Sequence, residues 1–545
     1  MMDLESIMLS QNRIYTLAVL ILHCFVFSFS FSHCKLNLNN PSDPRSRSYF
    51  ETALWNAYLN TRCIPDLRGS FSMGTGNTLI IPLSIKALRS GNTVVTAVTQ
   101  EPLVWNGNTY GIHNNHQNSV LNGVVFVIDR YFSRILWLDY IGEMSYGIDD
   151  WPQPETISVD EFSNGDLGFF ALVNGTGRAN TLNAKSGTYA FFLSRYNQYS
   201  GEIIWQGYVN KDNTRLNTSN YAMTITPSDQ MAILYQGISE TTTPTIDSTG
   251  LSYPGLPTPS TSSNASSPSQ KELGLALVNG NGAGISQSFL PNPGAATDAF
   301  LFKSYNDKLL IGGDTFNEFV SFSGHPRLNE GRGFYGILNS ALGWDSVSYY
   351  GPTVASTTSK IRKSLFANNE VYLIGTINQP DSTPNTIHAY QGSAGRRNYQ
   401  ILKPDRGSSS LLWSQYLGTI NYNVPDVIPG NIIYNSARGE VTANLLTEDN
   451  GSPFTGISSD IQSGSVVNGL GQARLKMNPT TGSFQKIQLY EGTSDSSGNN
   501  LKFISNQAEV CSGRMVTIHT MVTSFSVLSS ARRIEISTVP APEEP

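Results

Sequence analysis

Charge is scarce in this sequence of 545 residues, where Asp, Glu, Lys and Arg together make up 14%. A helical protein of this size would draw more heavily on Glu, Lys and Ala. The low charge, together with 48 Gly, 25 Tyr and 25 Phe, suits many short strands joined by tight turns. The net charge of -6 provides no basic surface for a nucleic-acid backbone. Catalytic signatures are missing as well. There is no G-x-S-x-G elbow, no P-loop, no dinucleotide fingerprint between a strand and a helix, and no D-x-D-x-D-G calcium loop. No cofactor is implied. The chain exceeds the usual size of one hydrophobic core, so it is either several domains or one large closed architecture.

Only one long apolar run is present, from Ile14 to Ser32. Asp3 and Glu5 outweigh Arg13 ahead of it, whereas a start at Met8 would leave a short positive segment before the run. Two readings stand: an export signal over residues 1–33, removed on maturation, or an uncleaved membrane anchor. The first is the expectation carried forward. Cys34 follows the run directly, where a bacterial lipoprotein would be cleaved and acylated. The residue before it is His33 rather than the small residue that such processing uses. Of the four cysteines, Cys24 lies inside the run, which leaves Cys63 and Cys511 as an even pair. In an oxidising compartment they form either a disulfide joining the two ends of the globular region or two separate buried thiols.

The informative feature is a repeat. Seven times a turn residue is followed at once by an apolar run: SGNTVVTAVT from Ser90, NGDLGFFALV from Asn164, SDQMAILYQG from Ser228, NDKLLIGGDT from Asn306, NNEVYLIGTI from Asn368, RGEVTANLLT from Arg438 and SGRMVTIHTM from Ser512. The turn positions Gly91, Asp166, Asp229, Asp307, Asn369, Gly439 and Gly513 recur about every 70 residues. Asn, Asp and Gly recur there because a tight hairpin needs positive φ. A second motif keeps the same period: WLDYIG from Trp137, WQGY from Trp205, SVSYYG from Ser346, WSQYLG from Trp413 and, more weakly, IQLYEG from Ile487. A degenerate copy is expected near Leu277 to Ser286, where glycines replace the aromatics.

Each unit then reads as two hairpins, and four antiparallel strands per unit make the blade of a propeller. A blade is covered on both faces, so runs such as FFALV need not alternate. The expected fold is all-β: a seven-bladed β-propeller of four-stranded antiparallel blades over residues 77–539. It would be closed by pairing the hairpin Ile80–Thr99 with the C-terminal strands Phe525–Val539. Outside the ring, residues 34–76 form a linker with a short N-terminal helix over Pro41–Leu59. A Ser/Thr/Pro-rich insertion at 240–270 is expected to be disordered, and 540–545 is a tail.

The LLWSQYLG stretch and the turn-plus-run hairpins resemble the bacterial β-propeller repeat of many exported proteins. The segment NNPSDPRSRSYFETALW after Cys34 resembles the start of mature spirochaete-type envelope lipoproteins. These resemblances imply an envelope-associated protein, in the periplasm or at the outer membrane, held to the membrane by an N-terminal lipid at Cys34.

Candidate chemistry is sparse. His113 and His116 have a spacing that could chelate a metal, but they sit in a polar loop without Cys or acidic ligands nearby. Asp149 and Asp150 beside Trp151 could serve a sugar site, or simply form a solvated loop. His519 lies in an apolar strand and reads as a core histidine. Trp137, Trp205 and Trp413 read as packing between blades, and NGNGAG at Asn279 as a turn. The expected function is therefore a noncatalytic binding or adhesion scaffold taking a protein or glycan ligand at a propeller rim. The alternatives are a glycan hydrolase, lyase or dehydrogenase working in the central channel, or a purely structural envelope protein.

Overall fold

A computed structural model describes residues 69–73 and, between 79 and 539, the strands and most of the tighter turns. The longer stretches outside the described residues are 1–68, 145–156, 211–221, 239–249, 261–270, 316–332, 351–358, 378–396, 421–430, 448–461, 464–470 and 523–530, together with 540–545. The expected N-terminal helix, Cys34 and Cys63 fall among these. All of the strands described below lie in the unit Ile64–Pro545.

The architecture is an all-β propeller. Blade 1 comprises Ile80–Ala87, Thr93–Thr99, Asn122–Ile128 and Ile135–Glu143; blade 2 Ile157–Glu161, Leu167–Val173, Ala190–Tyr196 and Ile203–Val209. Blade 3 comprises Ala222–Ile225, Met231–Ile238, Lys271–Val278 and Gly284–Phe289; blade 4 Thr297–Tyr305, Lys308–Thr315, Gly333–Leu338 and Trp344–Tyr350. Blade 5 comprises Ser359–Ala367, Glu370–Ile377, Arg397–Pro404 and Leu411–Ile420. Blade 6 comprises Asn431–Asn435, Glu440–Thr447, Gly471–Met477 and Phe484–Glu491, with Gln462–Ser463 added in parallel at its outer edge. The ends of the chain meet in a closing sheet, ordered Gly69–Met73, Ala531–Val539, Arg514–Val522, Leu501–Cys511 and Thr493–Ser494.

The expectation of seven equivalent four-stranded blades is thus corrected. Six blades are built from strands that follow one another in sequence. The sheet that joins the chain ends is a five-stranded composite and not a further unit of that kind. The repeat misled because its seventh copy, at Ser512, falls in this composite, whose outer partner must come from the far end of the chain. The expected closure is corrected too. Ile80–Ala87 and Thr93–Thr99 are the first two strands of blade 1, and Gly69–Met73 is the strand that pairs with Ala531–Val539. A period fixes the length of a unit but not its phase, so two motifs sharing one period left the blade boundaries half a unit out.

Burial on both faces explains the apolar runs. In Thr93–Thr99, Val95 and Ala97 join the core shared with the closing sheet, while Val94 and Val98 join the core shared with blade 2. Phe169 and Phe170, adjacent in blade 2, face blades 1 and 3 respectively. Successive strand residues point to opposite faces, so a strand sandwiched between two neighbours is apolar at every position. Further cores fill the junctions of blades 3 and 4, 4 and 5, and 5 and 6.

Two sets of turns recur at one end of the sheets. Between the first and second strands, Gly91, Gly165, Asp229, Asn306, Asn369 and Gly439 each take positive φ, one in every blade. At one of these turns the left-handed residue precedes the expected one, Gly165 rather than Asp166; at another Asn306 takes positive φ and the expected Asp307 lies outside the described residues. Between the third and fourth strands each blade uses an Asp or Asn: Asp129, Asn197, Asn279, Asn339, Asp405 and Asn478. The side-chain oxygen of each accepts backbone N–H bonds from the residues that follow, a local bond these short polar side chains favour.

These second turns are gripped by the preceding blade. The indole Nε1–H of Trp137 donates to the carbonyl of Gln198 at 2.8 Å, that of Trp205 to Gly280 at 2.8 Å, and that of Trp413 to Pro479 at 3.2 Å. Each acceptor directly follows the turn's Asn. Arg195 Nη1 and Lys403 Nζ, cross-strand from Trp205 and Trp413, reach the same carbonyls at 2.7 and 2.9 Å. All three tryptophans are buried, so the reading of them as packing between blades is borne out. Of the insertion expected at 240–270, the structure describes 250–260. Within it Leu251 and Tyr253 are buried against blades 2 and 3, and the amide of Gln287 bonds Leu251 through both its atoms. Two apolar side chains and one buried amide are enough to fix a Ser/Thr/Pro-rich stretch over 250–260.

Replacing Trp205 by Ala should lower the unfolding free energy by about 3–5 kcal/mol. Trp205→Phe should cost about 1 kcal/mol, since Arg195 still serves the Gly280 carbonyl. Denaturant midpoints of the two variants measure the difference.

Candidate functional site

The first strand of each blade lines the central channel and presents an unpaired backbone edge, a liability that must be covered. Here the preceding blade covers it. At blades 3 and 4, Asp160 Oδ2 accepts the Ile225 N–H at 2.8 Å and Thr224 Oγ1 accepts the Ser304 N–H at 3.1 Å; in the opposite direction, the Glu161 carboxylate of blade 2 accepts the backbone N–H of Arg89, in the first turn of blade 1, at 3.0 Å.

Asp160 is the hub. Lys86 of blade 1 and Lys303 of blade 4 both place their ammonium groups on its carboxylate, Lys303 Nζ at 3.2 Å from Oδ2 and 3.3 Å from Oδ1. Thr224 of blade 3 donates to Oδ2 at 2.9 Å, and the Glu161 N–H donates to Oδ1 at 3.0 Å. Four blades therefore converge on one carboxylate. The Asp160 side chain is 8% exposed, and those of Lys86 and Lys303 are each 30% exposed. Burial by itself would raise the Asp160 carboxyl. The Lys86 and Lys303 charges, with the hydrogen bonds from Lys86 and the Ile225 N–H, outweigh it and hold the group well below the usual carboxylate range. Burial, followed by the neighbouring Lys86 charge, pushes the Lys303 ammonium below its ordinary value against the pull of Asp160.

A second buried cluster joins blades 1 and 2. Asp139 accepts from Arg178 at 2.9 Å and from the Tyr196 hydroxyl at 2.6 Å, and all three side chains are shut away from solvent. Burial and the Asp139 charge hold the Tyr196 hydroxyl far above its ordinary value. The group works as a bolt between blades and meets no channel.

The residues singled out from sequence do not assemble into a site. His116 packs edge-on against Tyr140, with centroids 5.0 Å apart, while His113 lies outside the described residues, as do Asp149, Asp150 and Trp151. Cys511 ends the strand Leu501–Cys511; its side chain and its proposed partner Cys63 are outside the described set. His519 sits in Arg514–Val522 opposite Glu535. The stretch at Asn279 is a turn, as expected. Among the described residues no group of three or more His, Cys, Asp or Glu could hold a metal ion. The central cluster was missed, yet a signal existed. Lys86, Asp160, Thr224 and Lys303 each stand a few residues ahead of Gly91, Asp166, Asp229 and Asp307, so the polar cluster keeps the repeat's own period.

No family model matches the chain, and no curated protein matches it. Solved structures similar to it are propellers and propeller-bearing enzymes. The β-propeller domain of Myceliophteria thermophila Cps50 (Swd1) is 9% identical over 85% of this chain and 99% of that one, with a TM-score of 0.36. A NanB sialidase from Streptococcus pneumoniae is 11% identical over 85% and 69%, with a TM-score of 0.36. An ulvan lyase of polysaccharide lyase family PL25 is 10% identical over 87% and 95%, with a TM-score of 0.41. At these identities and scores the likenesses carry no argument about a site or an activity.

Asp160→Asn should destabilise the protein by about 3–5 kcal/mol by leaving two ammonium groups without their counter-charge. Because the folded carboxyl is held below its unfolded value of about 3.9, its contribution is complete above that pH and is lost as pH falls further. Denaturant titrations between pH 7 and pH 2 should show this acid loss in the native protein and a correspondingly smaller one in the variant.

Proposed function

We propose that this protein is an exported, envelope-associated binding scaffold, tethered through lipid at Cys34, that takes a protein or glycan ligand at one rim of its propeller without catalysis. The observation that carries the reading is the asymmetry of the connections. At one end of the sheets they are short and locked, as at 88–92, 162–166 and 478–483. The connections that leave the opposite end are long, including 100–121, 239–270, 316–332 and 378–396. A rigid ring with elaborated connections at one end suits recognition, because a fixed scaffold lets loops vary without disturbing the core. The channel reading as an enzyme is less well supported. General acid–base work needs a group that titrates near the working pH, whereas Asp160 is held ionised and is engaged by donors from four blades.

The test is to replace 378–396 by a Gly/Ser linker of equal length and screen both proteins on glycan and extracellular-protein arrays. The native chain should bind at least one ligand saturably, the replacement should lose affinity about tenfold or more, and its melting temperature should stay unchanged. A native chain that binds nothing, or a glycan consumed by the native chain, contradicts the proposal.

A further inference from the structure

The channel cluster carries more cationic character than its one carboxylate can use. Lys86 and Lys303 bring two positive charges and, as ammonium groups, six N–H donors. Their acceptors are the Asp160 carboxylate and, for Lys86, the Val159 carbonyl at 3.5 Å. That carboxylate offers about four acceptor positions and also takes the Glu161 N–H, the Ile225 N–H and the Thr224 hydroxyl. It is oversubscribed. Among the described side chains, Arg89 and Glu161 beside the cluster pair with one another. Counted over the described side chains, one positive charge is left over, spread across two partly exposed ammonium groups.

We infer that Lys86 and Lys303 form an oxyanion-binding site in the central channel, taking one small carboxylate or phosphate between their two ammonium groups on the side away from Asp160. Such an anion completes the donor count of both lysines and neutralises the surplus charge. Charge-assisted bonds of this kind are the stronger class of hydrogen bond and gain from partial burial. The lowered basicity of Lys303, pressed by burial and by the Lys86 charge, agrees with a missing counter-charge. The site lies beside the short turns, at the end opposite the long connections, so it stands independently of the rim proposal.

Isothermal titration of the full mature chain with inorganic phosphate and with sodium acetate, at fixed ionic strength and neutral pH, tests the site. One anion per chain should bind, and the stronger of the two probes identifies the oxyanion class. Lys303→Met and Lys86→Met should each weaken binding by about tenfold or more, while a surface control such as Lys308→Met leaves it unchanged. No saturable heat with either probe, or folded variants that bind as the native chain does, overturns the inference. Should both variants fail to fold, native crystals soaked in selenate decide. An anomalous peak within hydrogen-bonding distance of both Nζ atoms supports the site, and its absence there overturns it.

Discussion

Everything in this propeller depends on the five residues of Gly69–Met73 pairing antiparallel with Ala531–Val539. A ring of sheets has no free faces only while it is closed. Bringing segments several hundred residues apart together costs about 5 kcal/mol in chain entropy beyond a constant. Met73 and Ile536 from the two partner strands, with Val516 and Ile518 beside them, are buried in one core with Ile80, Val95 and Phe126 of blade 1. Each such side chain contributes about 1.5–3 kcal/mol, so four of them already exceed that cost. Closure therefore arises from packing on blade 1 as much as from the strand ladder.

With the ring closed, each blade works as the lid of its neighbour. The tryptophans at 137, 205 and 413 carry this arrangement in its clearest form: an indole ring fills the junction while its N–H fixes the next blade's turn. The turn can be gripped because it is already rigid, its Asn or Asp side chain having satisfied the local backbone. At the channel the same logic applies to edges, where Asp160 and Thr224 cap the first strand of the blade that follows. Backbone groups that would otherwise face the channel unpaired thus find partners in side chains of the preceding blade.

Much of this was legible in the sequence. The apolar runs after Gly91, Asp166, Asp229 and Asn369 are second strands of blades, and the tryptophan strands are fourth strands, because both patterns follow directly from burial on two faces. The phase of the blades was not legible, since which strand lies innermost is decided by packing around the channel rather than by any local preference. The composite nature of the closing sheet was hidden for the same reason: nothing in GSFSM from Gly69 announces a partner at Ala531. The order of 250–260 was concealed by its composition. The central cluster was spread over four repeats, and a polar residue in an inner strand becomes conspicuous only when the repeats are laid over one another.

The two ends of the ring thus differ in kind, with short locked turns and a charged hub at one end and long connections at the other, and both rest on closure at the expected register. The most direct test is a disulfide trap. With Cys24, Cys34, Cys63 and Cys511 replaced by Ser, Ser70→Cys and Ser537→Cys stand directly opposite one another across the closing strands, within the separation a disulfide requires. Mild oxidation should give a near-quantitative intramolecular bond in the folded protein, found as a single cross-linked peptide by mass spectrometry, and raise the melting temperature. Two free thiols after oxidation, or cross-links only between molecules, would contradict closure through Gly69–Met73.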